Sequence, residues 1–297
     1  MKEIEENDKN EEETKAITKQ ELQAKIEIIS KRKEKYVALK AKMEETGKRQ
    51  ISNTDPDSRR MMNNRKMEVC YNVQTVVDGK NKLILDYKVT NEVSDINQLS
   101  NMVTKAQNIL QTEKIEVLAD KGYYKSTEIK ECIDEGMVPY VSKPETSGGK
   151  GYKVEKFEYI KEKDIYICSG KQELTYRKKG NKDGKVIKFY KTKACKNCEI
   201  RSQCTNNKTG REIQRWEYEE ILEEMKKRLR ENVEKYFLRR CLSEHPFGTI
   251  KRTMNAAYVL MKGFGKVKAE ISTIMLSYNI KRVINIIGVK KLVEILG

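Results

Sequence analysis

The spacing of apolar positions changes period several times along the chain, and each change predicts a change of element. From Thr18 to about Thr46 the sequence is rich in Lys and Glu, with Leu22, Ile26, Ile29, Tyr36 and Leu39 at helical spacing. This predicts an exposed amphipathic helix or helical hairpin. Residues 1 to about 16 hold almost nothing apolar and are expected to form a disordered or frayed lead-in. Asn53-Thr54-Asp55-Pro56-Asp57-Ser58-Arg59 reads as a loop, because the proline pushes Asp55 out of the helical region and Asp and Ser favour turns. The period then shortens to that of strands. Tyr71 to Asp78 and Lys82 to Val89, joined by Gly79-Lys80-Asn81, predict a β-hairpin.

Helical spacing returns from Ile96 to about Gln111, through Leu99, Met102, Val103, Ala106 and Leu110. Ile115 to Asp120 is a short apolar strand that ends on an acid; a helix over about Ser126 to Glu135 and a strand from Met137 to Val141 follow. Strand, helix and strand at this spacing predict a parallel pair, and in such sheets sites gather at the carboxyl ends of strands. Asp120 is therefore either a site residue or a cap for the helical turn that follows. Residues 142 to about 215 break the pattern with Gly/Lys-rich turns, short strands such as Asp164 to Cys168, and four cysteines, which suggests an inserted β-rich module. From about Glu212 the chain is helical again through Trp216, Ile221, Leu222, Met225 and Leu229, with a last helix over about Val267 to Ile287. The expected division is 1–50 for the lead-in and charged helices and 51–145 for the first part of a core. Residues 146–212 would form the cysteine module, and 213–297 the helical remainder.

Composition narrows the class of partner. The 297 residues carry 61 Lys and Arg against 45 Asp and Glu, a formal charge of +16, and 37% are hydrophobic. A core can form, and the charge favours a polyanion such as DNA, RNA or an acidic membrane surface. No run of about 18 apolar residues and no signal-peptide core occurs, so the chain is expected to be soluble and cytoplasmic. Seven cysteines with one Cys-x-x-Cys pair suit a metal site in a reducing compartment better than a disulfide frame.

Two clusters carry candidate chemistry. On a continuous helix of roughly 3.6 residues per turn, Arg240, Glu244 and Lys251 fall within about 40° of one another. Pro246 would have to leave the axis intact for this to hold. One carboxylate flanked by two cations suits a metal ion beside a phosphodiester, and it is also an ordinary i,i+4 ion pair. Asp120 and Glu244 could meet if that helix packs on the sheet, and paired carboxylates hold two Mg²⁺ ions for phosphodiester chemistry. Cys168, Cys195, Cys198 and Cys204 have the spacing Cys-x26-Cys-x2-Cys-x5-Cys. They read as a structural Zn²⁺ site or as redox or idle thiols, while Cys70, Cys132 and Cys241 read as small core residues. The single histidine, His245, reads as local packing or a phosphate contact. Interleaved basic and aromatic residues between Tyr152 and Tyr190 suit either DNA contact or a solvated module face.

Together these residues resemble the DDE transposases of bacterial insertion sequences. The nearest likeness is to the group of insertion sequence 1182, within the superfamily that includes insertion sequences 4 and 5. The carriers are Thr54-Asp55-Pro56-Asp57-Ser58-Arg59, Tyr71-Asn72-Val73-Gln74, Val89-Thr90-Asn91 with Asp95, Ala119-Asp120-Lys121-Gly122-Tyr123-Tyr124, and Glu244-His245-Pro246-Phe247-Gly248 leading to Lys251. In the tail, Gly263-Phe264-Gly265-Lys266-Val267, Glu270 and Tyr278-Asn279-Ile280-Lys281-Arg282 are similar too. The family's Tyr, Arg, Glu and Lys signature falls on Phe237, Arg240, Glu244 and Lys251, with Phe in place of Tyr.

The resemblance implies an α/β fold with an RNase H-like core interrupted by a small, zinc-binding β-rich module. Asp120 would be the second catalytic and metal-binding acid, Glu244 the third, and Arg240 and Lys251 DNA contacts. Mg²⁺ would be the cofactor, DNA the partner, a homo-oligomer the working form, and the bacterial nucleoid the place of action. The first acid normally stands in a Val-Asp-Gly-Thr-like strand ahead of the charged helices, and none precedes Thr18. Asp55 and Asp57 lie where the family places no catalytic acid. The expectation is therefore an amino-terminally truncated transposase, with a catalytically inactive DNA-binding remnant as the alternative and an RNase H-like nuclease as a third reading.

Overall fold

The computed structural model describes residues 19–47, 50–63, 65–145 and 151–297. The lead-in expected over residues 1 to about 16 lies outside the described residues. The chain divides into two compact units. One comprises Met1–Asn72, Val89–Val93 and Tyr258–Ser272, and the other Val73–Lys88, Ser94–Ala257 and Thr273–Gly297.

In the first unit, the Lys/Glu-rich stretch forms one helix, α1 (Lys19–Thr46), with no buried residue, rather than a helical hairpin. Its alternating charges form i,i+4 pairs such as Lys31 with Glu27, which suits a fully solvated helix. After the loop come β1 (Arg59–Asn63) and β2 (Lys66–Cys70), an antiparallel pair that the apolar pattern did not predict. Met61 is the one hydrophobic residue of this pair that is buried, so the period-two signal there was too weak to read.

Asp55 and Asp57 are structural in this unit. The buried Asp55 carboxylate accepts hydrogen bonds from the Tyr71 hydroxyl at 2.8 Å, the Gly263 N–H at 3.1 Å and the Asp57 N–H at 3.2 Å. Burial works to raise its pKa, but the hydrogen bonds from Gly263, Tyr71 and Asp57 outweigh that, and the carboxyl stays below its usual value. Asp57 accepts from the Phe264 N–H at 3.2 Å, and the Phe264 ring stands 6.0 Å from that of Tyr71. Glu270 likewise holds the Leu260 and Met261 N–H groups.

In the second unit, the strands β3 (Asn72–Val77) and β4 (Ile84–Thr90), each continuing into the first unit at one end, pair in the predicted hairpin. Helix α2 (Leu99–Leu110) leads to β5 (Glu116–Ala119), α3 (Ser126–Asp134) and β6 (Val138–Val141). As the strand–helix–strand spacing predicts, β5 and β6 are parallel, with Ala119 opposite Val141. Among the described residues, β3–β4 and β5–β6 form separate two-stranded ladders. Leu99, Val103, Val117, Ala119, Ile129 and Met137 pack into one core with residues further along the chain. Each of these side chains other than Ala119 contributes roughly 1.5–3 kcal/mol on burial.

The cysteine-bearing segment forms a five-stranded sheet in the order β11 (Glu212–Trp216), β10 (Lys185–Lys191), β9 (Glu173–Lys182), β8 (Ile165–Ile167) and β7 (Glu158–Ile160), with the short helix α4 (Arg201–Cys204) between β10 and β11 in the chain. It is antiparallel throughout, with a second core of Phe157, Tyr166, Leu174, Tyr190, Cys204 and Ile213. Ile187 and Trp216, on the same sheet, belong instead to the core around β5 and α3.

The carboxyl-terminal part holds α5 (Glu219–Glu231), α6 (Val233–Gly248), a π-helical turn (Thr249–Thr253), α7 (Phe264–Ile287) and α8 (Val289–Leu296). Three side chains of α7 clasp the β3–β4 hairpin. Tyr278 donates to the Lys82 carbonyl at 2.7 Å, and Arg282 to the Asn81 carbonyl at 2.7 Å. The Asn279 amide accepts from the Ile84 N–H at 2.9 Å and donates to the Ile84 carbonyl at 2.8 Å. No helix among the described residues is long and apolar enough to cross a membrane.

Candidate functional site

Asp120 is the first residue beyond β5, at the carboxyl end of the parallel pair. Its extended backbone ends the strand, and its carboxylate accepts the Lys121 N–H at 2.8 Å, capping the 3₁₀ turn Lys121–Tyr123. The cap and the strand-end position expected from the sequence thus coexist. The turn is braced from behind: Tyr123 donates to the side-chain oxygen of buried Gln74, and Gln74 donates to Asp95 at 2.7 Å. Burial, with the charges of Asp95 and Asp120, drives the Tyr123 hydroxyl well above its ordinary pKa and keeps it a donor. Gly122 sits close to Asp95, since a Cβ there would stand 3.1 Å from an Asp95 carboxylate oxygen.

Helix α6 packs against β5, and the side chain it brings to Asp120 is Arg239, at 3.2 Å. The Arg239 guanidinium also lies over the Tyr236 ring, and its buried Nε has no hydrogen-bond partner among the described residues. Sequence reasoning missed Arg239. It stands next to Arg240, and only the phase of the helix decides which of the two turns inward.

Glu244 is exposed and pairs with Arg240 at 3.9 Å. Arg239 and Glu244 are five residues apart, about 140° around a helix, so the face that meets Asp120 is not the face that carries Glu244. Lys251 leaves the expected cluster as well. Pro246 is accommodated inside α6, but the helix then loosens into the π turn that contains Lys251, whose ammonium lies 5.9 Å from the centre of the Phe247 ring. The single-face geometry of Arg240, Glu244 and Lys251 required an unbroken 3.6-residue helix, and the π turn removes it. His245 is a packing residue: its Nδ1 lies 3.1 Å from the Tyr278 hydroxyl, and burial with the charges of Lys82 and Arg282 lowers its pKa.

The four module cysteines line one cavity of about 20 Å³. Cys168, just beyond β8, opens a tight turn in which the Gln172 N–H points at its sulfur at 3.4 Å. A Cβ at Gly170 would lie 3.7 Å from the sulfurs of both Cys168 and Cys198. Gly210, at φ +90°, could carry no side chain, because a Cβ would stand 2.7 Å from that of Cys195. Burial raises the pKa of Cys204; Arg211 opposes this, and the other three cysteines add to it. Of the cysteines read as core residues, Cys132 is buried and Cys70 partly so, but Cys241 is exposed, on the solvent side of α6.

Among the described residues, no group of three or more His, Cys, Asp or Glu side chains is placed so that it could hold a metal ion. Asp120 and Glu244, each next to an arginine, do not assemble a two-ion site as they stand.

A family model described as the transposase DDE domain matches residues 41–280, and the chain belongs to that family. No curated protein and no solved structure matches it. Membership makes this a transposase, a protein of DNA transposition whose partner is DNA and whose family generally uses divalent metal ions.

Proposed function

We propose that Asp120 and Glu244 are carboxylates of a DDE centre for cleavage and strand transfer of DNA at the ends of an insertion sequence, on an RNase H-like core, with Mg²⁺ as the ion. The supporting observation is the position of Asp120, at the carboxyl end of a parallel strand against which the helix of Glu244 packs. Arg240 and Lys251, on the Glu244 segment, are the phosphate contacts of this reading. A bound Mg²⁺ would supply charge stabilisation for the displaced oxygen. Among the described residues, the side chains as placed do not enclose such an ion.

A second reading, DNA binding without catalysis, is favoured by the Arg239–Asp120 pair, which satisfies the carboxylate that the ion would need. Strand transfer from a supplied 3′-hydroxyl end separates the two. Product that requires Mg²⁺ and is lost in Asp120→Asn and in Glu244→Gln supports catalysis. DNA binding that is indifferent to Mg²⁺, with no product, supports the second reading.

The four module thiols are the second part of the proposal, as ligands of a structural Zn²⁺. The support is that four soft sulfurs and no carboxylate line one small cavity, although as placed they do not form a metal-holding group. Bound zinc would tie the turn at Cys168 to the segment 195–204. Purified protein should carry one zinc per chain by atomic absorption, and Cys198→Ser should lose it. A zinc-free wild type would leave these thiols without a metal.

A further inference from the structure

The cysteine module carries a second cavity, of about 250 Å³, beside the thiol cluster. Six cations line it, Arg177, Lys191, Lys193, Lys196, Arg201 and Lys208, and no Asp or Glu does. A few cations of the module are paired, Lys161 with Glu220, Lys179 with Glu217, Lys188 with Asp164 and Arg215 with Glu223. Among the described residues none of the six forms an ion pair. Cations gathered in one concavity repel one another, and a bound anion turns that repulsion into attraction.

The cavity is built by identifiable features of the fold. Arg177 falls at a register shift between β9 and β10, where Lys178 pairs with Phe189 and Tyr176 with Tyr190. It is the extra residue of a β-bulge, a device that re-aims a side chain. Lys193 follows β10. The Arg201 guanidinium donates to the carbonyls of Lys208 at 2.7 Å and Asn207 at 3.4 Å, fixing the loop that presents Lys208. Charge is concentrated around it: residues 151–216 hold 18 Lys and Arg against 8 Asp and Glu, a net +10 of the chain's +16.

We propose that this cavity binds the phosphodiester backbone of DNA, holding the module on the duplex without reading its sequence. The inference rests on the transposase reading for the identity of the polyanion. A single small anion would leave most of six cations uncompensated, whereas successive phosphates of a duplex engage several at once. Lysines and arginines without a base-reading amide or carboxylate position a protein rather than select a sequence. Cys195 and Arg201 line both cavities, so the phosphate site adjoins the thiol cluster through Cys195.

The test is fluorescence anisotropy with a random-sequence duplex, on the full chain, across a salt titration. Lys193→Glu/Lys208→Glu should weaken binding by at least about 10-fold and flatten the dependence of log K on log salt by about 1 to 2, near 0.9 for each phosphate that is no longer neutralised. Lys290→Glu/Lys291→Glu, on α8, should do markedly less. The milder Arg177→Ala/Lys208→Ala pair gives the same direction should the charge reversal fail to fold, with thermal melts as the check. Wild-type affinity and slope in folded variants overturn the site while leaving the family reading intact. A wild type that binds no duplex overturns both. Loss of binding to phosphatidylserine vesicles with DNA binding retained would assign the cavity to a membrane surface and overturn the proposal.

Discussion

Asp55 and Asp120 both stand in motifs shared with the same family, yet the chain treats them in opposite ways. Asp55 is buried and its carboxylate is held by a phenol and two backbone N–H groups. Asp120 is half exposed, capping a short turn and facing one guanidinium. An acid that already holds three fixed donors has less left for a ligand. One that ends a strand with open solvent before it keeps that capacity. The difference argues that Asp55 is a structural residue that holds the loop 53–59 against the segment 258–264.

The comparison breaks first on stability. Asp55→Ala leaves the Tyr71 hydroxyl and the Gly263 N–H unpartnered and should cost about 3 kcal/mol in urea unfolding. Asp120→Asn should change stability by less than about 0.5 kcal/mol, as expected for a partly exposed ion pair. Equal losses would show that the two acids play the same part.

The pH dependence sharpens the contrast. Because the folded-state pKa of Asp55 is lowered, its contribution is fully present above the unfolded value, near pH 4, and is lost as pH falls through the folded value. The gap in unfolding free energy between wild type and Asp55→Ala should therefore stay constant at higher pH and narrow below about pH 4. A gap that stays constant into stronger acid would mean that the carboxylate charge contributes nothing.

The smallest effect concerns the brace behind Asp120. Gly122→Ala places a methyl 3.1 Å from Asp95, which is held by Gln74, and should cost about 1 kcal/mol by thermal melting. A neutral result would show that Asp95 moves freely and that the turn is not fixed from that side.

Periodicity made part of this legible in the sequence. The β3–β4 hairpin, α2, the parallel β5–β6 pair and the strand-end placement of Asp120 followed from the local period of apolar positions and the spacing of the elements. What local pattern cannot show is helix phase after a disturbance. Pro246 warned of one, but the π turn that displaces Lys251 arises from backbone hydrogen bonding that no side-chain spacing encodes. The partner of Asp120 was hidden for a related reason, since Arg239 and Arg240 are chemically identical and only packing chooses between them. The gathering of Cys168 with Cys195, Cys198 and Cys204 was suggested by spacing, but the close approach of Gly210 to Cys195 is a property of the fold.

The Asn279 amide bears on self-association. A two-stranded ladder has unpaired backbone along its outer edges, and such an edge is a template for a strand from another molecule. By taking both the N–H and the carbonyl of Ile84, a side chain on α7 occupies the place a foreign strand would seek. It guards the hairpin against edge-to-edge aggregation without adding a strand of its own.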